Sequence, residues 1–164
     1  MAGSTNKKVL VSRFDRESLS GFVNPQTYLM PDGLELLTQT GSIQTVPYDE
    51  VKLVCFVRDF QEGEPQKELR MFTTRPKMEG LWIRMHFRDA DIMDGLLSNN
   101  LLQLEPYGFS VIPPDPRFQN QRVFVPKAAL SSIQVLGVVG SPLRQARRPK
   151  PAPKEQIGLF EKSE

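Results

Sequence analysis

The sequence predicts a mainly β chain made of two similar halves followed by an extended tail. Short runs of β-branched and aromatic residues, separated by Gly, Pro, Asn and Asp, are typical of strands. The same order of such runs occurs twice, over residues 8–60 and 80–140. Residues 141–164 instead contain four prolines and no apolar periodicity. Because proline fixes φ and its neighbours resist helix, we expect this tail to be extended and disordered.

Each half offers about five short strands in the same order. In the first half a bent strand and its return are followed by a strand that starts at Gly33, a strand that ends at Pro47, and a last strand. The first-half segments are Val9–Phe14, Leu19–Val23, Gly33–Thr38, Ile43–Val46 and Val51–Val54. Their counterparts are Trp82–Phe87, Met93–Leu97, Gly108–Ile112, Arg122–Val125 and Leu130–Ile133. We expect Gly21 and Gly95 to allow a bend, and Pro47 and Pro126 to begin a tight 3₁₀ turn.

This strand order resembles the small Sm-like or SH3-like barrel. The resemblance covers about 50 residues in each half and implies a tandem repeat of two small β-barrels. It divides the chain into a first barrel (8–60), a connector (61–79), a second barrel (80–140) and a Pro-rich basic tail (141–164). Because units of about 60 residues bury only modest cores, we expect the halves to pack together or to dimerise.

Three further runs of residues are similar to an uncharacterised family of bacterial domains, over roughly residues 8–137. The runs are Cys55-Phe-Val-Arg-Asp-Phe60, Pro113-Pro-Asp-Pro116 and Asn120-Gln-Arg-Val-Phe-Val125. The resemblance supports the two-part organisation and implies no activity.

Composition excludes several classes of protein. The longest apolar runs, such as Leu53–Val57 and Val135–Val139, fall far short of the roughly 20 residues that cross a bilayer. The polar N-terminus lacks the apolar core of a signal peptide, so we expect a cytoplasmic location and no membrane partner. One Cys and one His are too few for a common zinc site or an internal disulfide.

The positive net charge of the chain, +2, comes from the excess of basic residues in the tail. Residues 141–164 hold six of the 21 basic and three of the 19 acidic side chains, which leaves residues 1–140 at −1. A body this close to neutral lacks the dense positive surface that supplies most non-specific affinity for nucleic acids, although it can hold a local basic patch.

Candidate catalytic and metal-binding groups are sparse. Asp89, Asp91 and Asp94 form the densest acidic cluster, but apolar residues interrupt the spacing of a calcium loop, so a solvated hairpin turn is favoured. His86 is expected to point outward from a strand, with Arg13 as its counterpart in the first half. Cys55 lies among apolar residues and is expected to be a buried, inert thiol. We therefore expect no enzyme activity, metal or cofactor.

The Sm-like resemblance implies RNA binding through Asn and Arg side chains near strand ends and through stacking on aromatic rings. Five residues are the candidates on the barrel surface, and Phe118 could support them. The five are Asn99, Asn100, Arg117, Asn120 and Arg122. Alternatively, Asn120 and Arg122 form side-chain hydrogen bonds to the backbone of the long loop from Pro113 to Gln121.

The tail ends with an apolar segment that is unusual in a disordered region. Gln156-Ile-Gly-Leu-Phe160 is similar to the Gln-x-x-Leu-Phe motif by which bacterial proteins bind the DNA sliding clamp. The resemblance implies that Gln156 enters a small polar pocket while Leu159 and Phe160 fill an apolar one. Alternatively, these side chains fold back on a barrel or extend a sheet edge.

Together these patterns predict a non-enzymatic binding or adaptor protein that contacts protein partners through its barrels and its tail. The DNA sliding clamp is the candidate partner for the tail, and a homo-oligomer is compatible with the two-part design. The alternative is binding of RNA or DNA by the barrels themselves.

Overall fold

The computed structural model describes residues 5–62, 70–114 and 121–140, and these residues form a mainly β fold. Eleven strands alternate with turns, and within the described residues there are 3₁₀ turns but no α-helix. The strands are β1 (Lys7–Arg13), β2 (Leu19–Val23), β3 (Leu29–Met30), β4 (Gly33–Thr38), β5 (Ile43–Val46), β6 (Val51–Phe56), β7 (Gly80–Phe87), β8 (Ile92–Leu97), β9 (Gly108–Ile112), β10 (Val123–Pro126) and β11 (Leu130–Val139). The 3₁₀ turns are Phe60–Glu62, Leu101–Gln103 and Lys127–Ala129. In the described part of the chain no helix is long and apolar enough to span a membrane.

All strands belong to one antiparallel sheet. Its order is β11-β7-β8-β9-β10-β6-β1-β2-β4-β3, and β5 pairs with the other edge of β4. The two halves meet in the middle of this sheet, where β6 of the first half pairs with β10 of the second.

The two halves use the same pattern of pairing. In the first half β1 lies between β6 and β2, and β4 lies between β2 and β5. In the second half β7 lies between β11 and β8, and β9 lies between β8 and β10. Gly33 and Gly108 also occupy equivalent tight positions, because an added Cβ at either residue would clash with the carbonyl oxygen of Val46 or Val125, respectively.

The register corrects the expected alignment of the first strands by one residue. Val9 lies opposite Gly21, and Ile83 lies opposite Gly95, so Val9 corresponds to Ile83 rather than to Trp82. The aromatic residues Phe14 and Phe87 suggested the wrong alignment, because they are not at equivalent positions: in the observed register Phe14 corresponds to Arg88. His86 therefore corresponds to Ser12 and not to Arg13.

The expected pair of closed barrels is not observed. The strands form an open sheet, because the outer edge of β6 is hydrogen-bonded to β10 of the other half instead of closing on its own half. The expectation that each half closes into its own barrel was therefore wrong.

The sheet buries two apolar clusters on opposite faces of its central strands. Side chains alternate along a strand, so Val9 and Val11 enter one cluster while Leu10 between them enters the other. Both clusters mix the halves. Phe124 of β10 lies in the cluster of the first half, and Leu53 and Cys55 of β6 lie in that of the second. The two halves are therefore joined by shared cores as well as by strand pairing.

Part of the predicted connector packs on the outer face of β7 and β8. The carbonyl oxygen of Arg70 accepts a 2.6 Å hydrogen bond from the backbone N–H of Asp94. The ring of Phe72 meets that of Trp82 edge-on, with ring centres 6.1 Å apart. Arg75 donates a 2.7 Å hydrogen bond to the carbonyl oxygen of Val138. Residues 70–75 thus cover polar side chains that the strands alone would leave exposed.

Candidate binding cleft

The joint between the two halves brings together two of the runs that suggested the family resemblance. Cys55 lies opposite Val123, and the backbone N–H of Phe56 donates a 3.1 Å hydrogen bond to the carbonyl oxygen of Arg122. The run from Cys55 to Phe60 and the run from Arg122 to Val125, which are far apart in sequence, therefore lie on neighbouring strands.

A cleft of about 980 Å³ opens beside this joint. Its described lining combines an apolar surface with four basic side chains and includes no Asp or Glu. The lining residues are Asn6, Lys7, Lys8, Pro25, Phe56, Val57, Arg58, Met78, Ile112, Gln121 and Arg122. This junction cleft draws residues from both halves and has the size of an ordinary ligand site.

Arg122 is held in place at the edge of the junction cleft. Its guanidinium lies over the ring of Phe56, 4.8 Å from the ring centre, and its Nη1 lies 3.5 Å from Oε1 of Glu105. The Arg122 side chain remains 41% exposed. A cation supported on one side by a ring can still present its outer side and its remaining N–H groups to a ligand.

Lysines extend the positive charge along the start of β1. Lys7 is exposed, and Nζ of Lys8 lies 5.5 Å from the centre of the Phe60 ring. With Arg58 and Arg122, these residues place four basic side chains around an apolar floor. Such a surface can bind an anionic group and an apolar group of the same ligand.

A smaller polar pocket of about 280 Å³ shares Arg122 with the junction cleft. Its lining includes Ser98, Gln103, Glu105 and Ser110. Within the described part of the chain, Oε2 of Glu105 and Oγ of Ser110 are buried without a hydrogen-bond partner. Because buried polar atoms without partners are costly, this pocket has capacity to bind a small polar group or water.

The structure places only one of the predicted surface residues in the junction cleft, namely Arg122. Asn100 caps the 3₁₀ turn after β8, since its Oδ1 accepts a 3.1 Å hydrogen bond from the N–H of Leu102. Asn99 donates to Oε1 of Glu79 across 3.4 Å. Both asparagines thus have local structural roles and line neither cavity. Arg117 and Asn120, with Phe118, lie outside the described residues, as do Gln156, Leu159 and Phe160 of the tail.

The acidic cluster is bound by cations of the chain itself. Lys52 Nζ lies 2.7 Å from Oδ2 of Asp89 and 2.9 Å from Oδ2 of Asp91, and Arg70 also pairs with Asp91. Burial raises the pKa of both carboxyl groups, but the hydrogen bonds and positive charges of these partners outweigh it and hold each pKa below its usual value. No group of three or more His, Cys, Asp or Glu suited to a metal ion occurs among the described residues.

Asp94 departs from the expected solvated turn. It is fully buried in β8, where Arg84 donates to both carboxylate oxygens at 2.7 and 3.2 Å. The indole N–H of Trp82 and the backbone N–H of Phe72 donate to Oδ2 at 3.1 and 3.2 Å. The expectation was wrong for Asp94 because the covering segment, remote in sequence, supplies the burial. The Arg84 guanidinium pKa is raised, chiefly by its hydrogen bond to Asp94.

His86 and Cys55 lie where the sequence predicts. His86 is on the outer face of β7, with its Nε2 3.3 Å from Oε1 of Gln134. Cys55 is buried in the core between the halves.

Sequence analysis did not identify Lys7, Lys8 and Arg58 as site residues. Each is an ordinary surface cation in its own segment, and only the pairing of β6 with β10 brings them beside Arg122. The available signal was the presence of Arg58 and Arg122 in two runs that had each suggested the same family.

Comparison with known proteins agrees with that family resemblance. The model of a family of unknown function (DUF6982) matches residues 5–137. The chain belongs to this family. The match includes both halves of the sheet and all described residues that line the junction cleft. No curated protein and no solved structure gives a significant match to the chain.

Proposed function

We propose that this DUF6982 chain is a non-enzymatic binding or adaptor protein whose junction cleft binds an acidic, partly apolar segment of a partner protein. The carrying observation is the lining of the cleft, where Lys7, Lys8, Arg58 and Arg122 surround an apolar floor. The described lining includes no Asp or Glu, and Glu105, outside that lining, pairs with Arg122. We also propose that the two halves are copies of one duplicated unit, as their common pairing pattern suggests.

An acidic peptide suits this cleft better than a nucleic acid does. Single-stranded nucleic acids bind by stacking bases on exposed aromatic rings, but Phe56 is only 7% exposed. Met78 and Ile112 are half-buried and instead offer an apolar surface for aliphatic or aromatic side chains of a peptide. Carboxylates beside those side chains would pair with the cations along the rim.

Nucleic-acid binding is the second candidate, and one observation favours it. The exposed side of the Arg122 guanidinium is a planar cation on which a base could stack, while the lysines of β1 could contact phosphates. Such binding would depend strongly on salt, because each phosphate contact releases counterions.

The tail is a proposed second contact of the adaptor. Gln156, Leu159 and Phe160 match the three determining positions of the clamp-binding motif, and the preceding Pro-rich residues would let the motif act as a tethered ligand. A full-length chain and a chain stopped after Gly140 should therefore differ in binding to purified sliding clamp. Equal binding by both chains, or none by either, would reject the tail contact without bearing on the cleft.

The cleft is tested by fluorescence anisotropy with two labelled probes, an acidic peptide rich in Asp, Glu and Leu, and a single-stranded RNA. We expect the full chain to bind the peptide and the double variant Lys7→Glu/Arg122→Glu to lose at least tenfold in affinity, since about 1.4 kcal/mol corresponds to a factor of ten. Lys127→Glu is the control, because it also reverses a positive charge but Lys127 does not line the cleft. This variant should bind the peptide as the wild type does. Tighter, salt-sensitive binding of the RNA would favour the second candidate, and binding of neither probe would reject both.

A further inference from the structure

We infer that the two end strands of the sheet pair between copies of this chain, with β11 of one copy against β5 of the next. The inference is independent of the ligand proposed for the cleft. Its starting point is the joint inside the chain, where the outer edge of β6 pairs with the outer edge of β10. Cys55 lies opposite Val123 there, and Val54 lies opposite Phe124.

The two ends of the sheet correspond to the two sides of that joint. β11 takes the place of β6 in its own half, because β7 pairs with β11 as β1 pairs with β6. β5 takes the place of β10, because β4 pairs with β5 as β9 pairs with β10. Within the described residues, β11 pairs only with β7 and β5 only with β4. Each molecule thus presents, at opposite ends, the two edges that join each other in its middle.

The side chains of these edges also suit pairing with another chain. Proteins commonly protect an edge strand with charged residues or proline, yet β11 has none over its ten residues and β5 has none over its four. Instead, Val135 and Val138 are 61% and 50% exposed on β11, and Ile43 is 69% exposed on β5. Uncharged apolar edges of this kind are prone to strand addition.

The internal joint also predicts the register between copies. Aligning Val46-Pro47 with Val125-Pro126 puts Ile43 at the position of Arg122. Counting from the same proline through the last strand puts Val135 at the position of Phe56. Inside the chain, the Arg122 side chain covers the ring of Phe56. Between copies, Ile43 would therefore cover Val135, so two exposed apolar side chains would be buried together.

Gln44 and Gln134 come to lie opposite each other in this register, as Val123 and Cys55 do inside the chain. Because the paired edges differ, the contact is head-to-tail and leaves an edge free at each end of a dimer. Such contacts produce either closed rings or open filaments. A two-fold symmetric dimer is not the expected product.

Sedimentation velocity of the full chain over a series of concentrations tests whether copies associate through β11 and β5. We expect the wild type to associate, and Val135→Lys or Ile43→Lys to weaken association at least tenfold. Leu102→Lys is the matched control, because Leu102 is 95% exposed but lies on neither edge, and it should associate as the wild type does. The double variant Val135→Lys/Ile43→Glu should regain association, since the new charges attract each other across the contact.

A cysteine pair tests the register. Under oxidising conditions, the Gln44→Cys/Gln134→Cys variant should form covalent multimers that a reductant dissolves, because residues directly opposite on antiparallel strands lie within disulfide distance. Gln44→Cys/Gln103→Cys, with its second cysteine in the turn after β8, should form far fewer. A wild type that stays monomeric, or association that neither lysine variant weakens, would overturn the inference.

Discussion

Replacing Phe124 by Ala should destabilise both halves together, because this residue of β10 is buried in the core of the first half. Phe124 is fully buried, and its ring meets that of Tyr28 edge-on with centres 5.9 Å apart. Truncating a buried Phe costs about 3–5 kcal/mol in free energy of unfolding. For a urea dependence of about 2 kcal/mol per M, the midpoint of unfolding should fall by about 2 M.

The assay follows urea unfolding with two probes. Fluorescence of Trp82, the single tryptophan of the chain, reports on β7 in the second half, and far-UV circular dichroism reports on all strands. The two curves should coincide and shift together, although the mutated side chain packs in the other half. Leu102→Ala is the control and should change stability by less than about 0.5 kcal/mol. If the Trp82 curve keeps its midpoint while circular dichroism shows an earlier loss of strands, the halves are independent and the shared-core account is wrong.

Two further predictions concern the charged groups around β8. Asp94→Asn should lower the free energy of unfolding by about 1–3 kcal/mol, because it weakens the charge-assisted hydrogen bonds to Arg84, whose side chain is 26% exposed; urea unfolding that matches the wild type would contradict this. Because the folded-state pKa values of Asp89 and Asp91 are depressed, their stabilising effect is complete above the unfolded value of about 3.9 and is lost as the pH falls through the lower folded values. Urea midpoints measured between pH 6 and pH 3 should therefore fall toward acid, and they should fall less steeply in Lys52→Met; equal slopes in the two proteins would refute the role of Lys52.

The strand content was predictable because its signals are local. Alternating apolar residues and the turns after Pro47 and Pro126 each act over a few residues, and the strands occur where they indicate. The expected 3₁₀ turn is present after Pro126, whereas residues 48–50 form a plain turn. Burial of Cys55 followed from its apolar neighbours in the same way. The family resemblance was also accessible, since it depends on short runs that remain intact in the chain.

The joint between the halves was missed because it depends on strands that are far apart in sequence. One local signal pointed to it. Leu53 to Val57 is a continuous apolar run, which is typical of a strand buried on both faces rather than of a barrel strand with one wet face. Burial of Asp94 could not be predicted similarly, because it depends on residues 70–72 packing over β7 and β8.

Some residues of the candidate site could likewise be predicted from the sequence, and others could not. Arg122 was predicted because it lies near the end of a strand. Asn99 and Asn100 also lie near a strand end, but they serve the turn after β8. Lys7, Lys8 and Arg58 become part of one surface only through the fold. A basic cluster of this kind has no linear motif.

The most direct test of the proposed binding function is an NMR titration of the ¹⁵N-labelled full chain with the acidic peptide. The account predicts that backbone signals of Lys7, Lys8, Arg58 and Arg122 shift together as the peptide is added, and that these shifts disappear in Lys7→Glu/Arg122→Glu. Shifts confined to other surfaces, or a spectrum that does not change, would contradict the assignment of the junction cleft as the binding site.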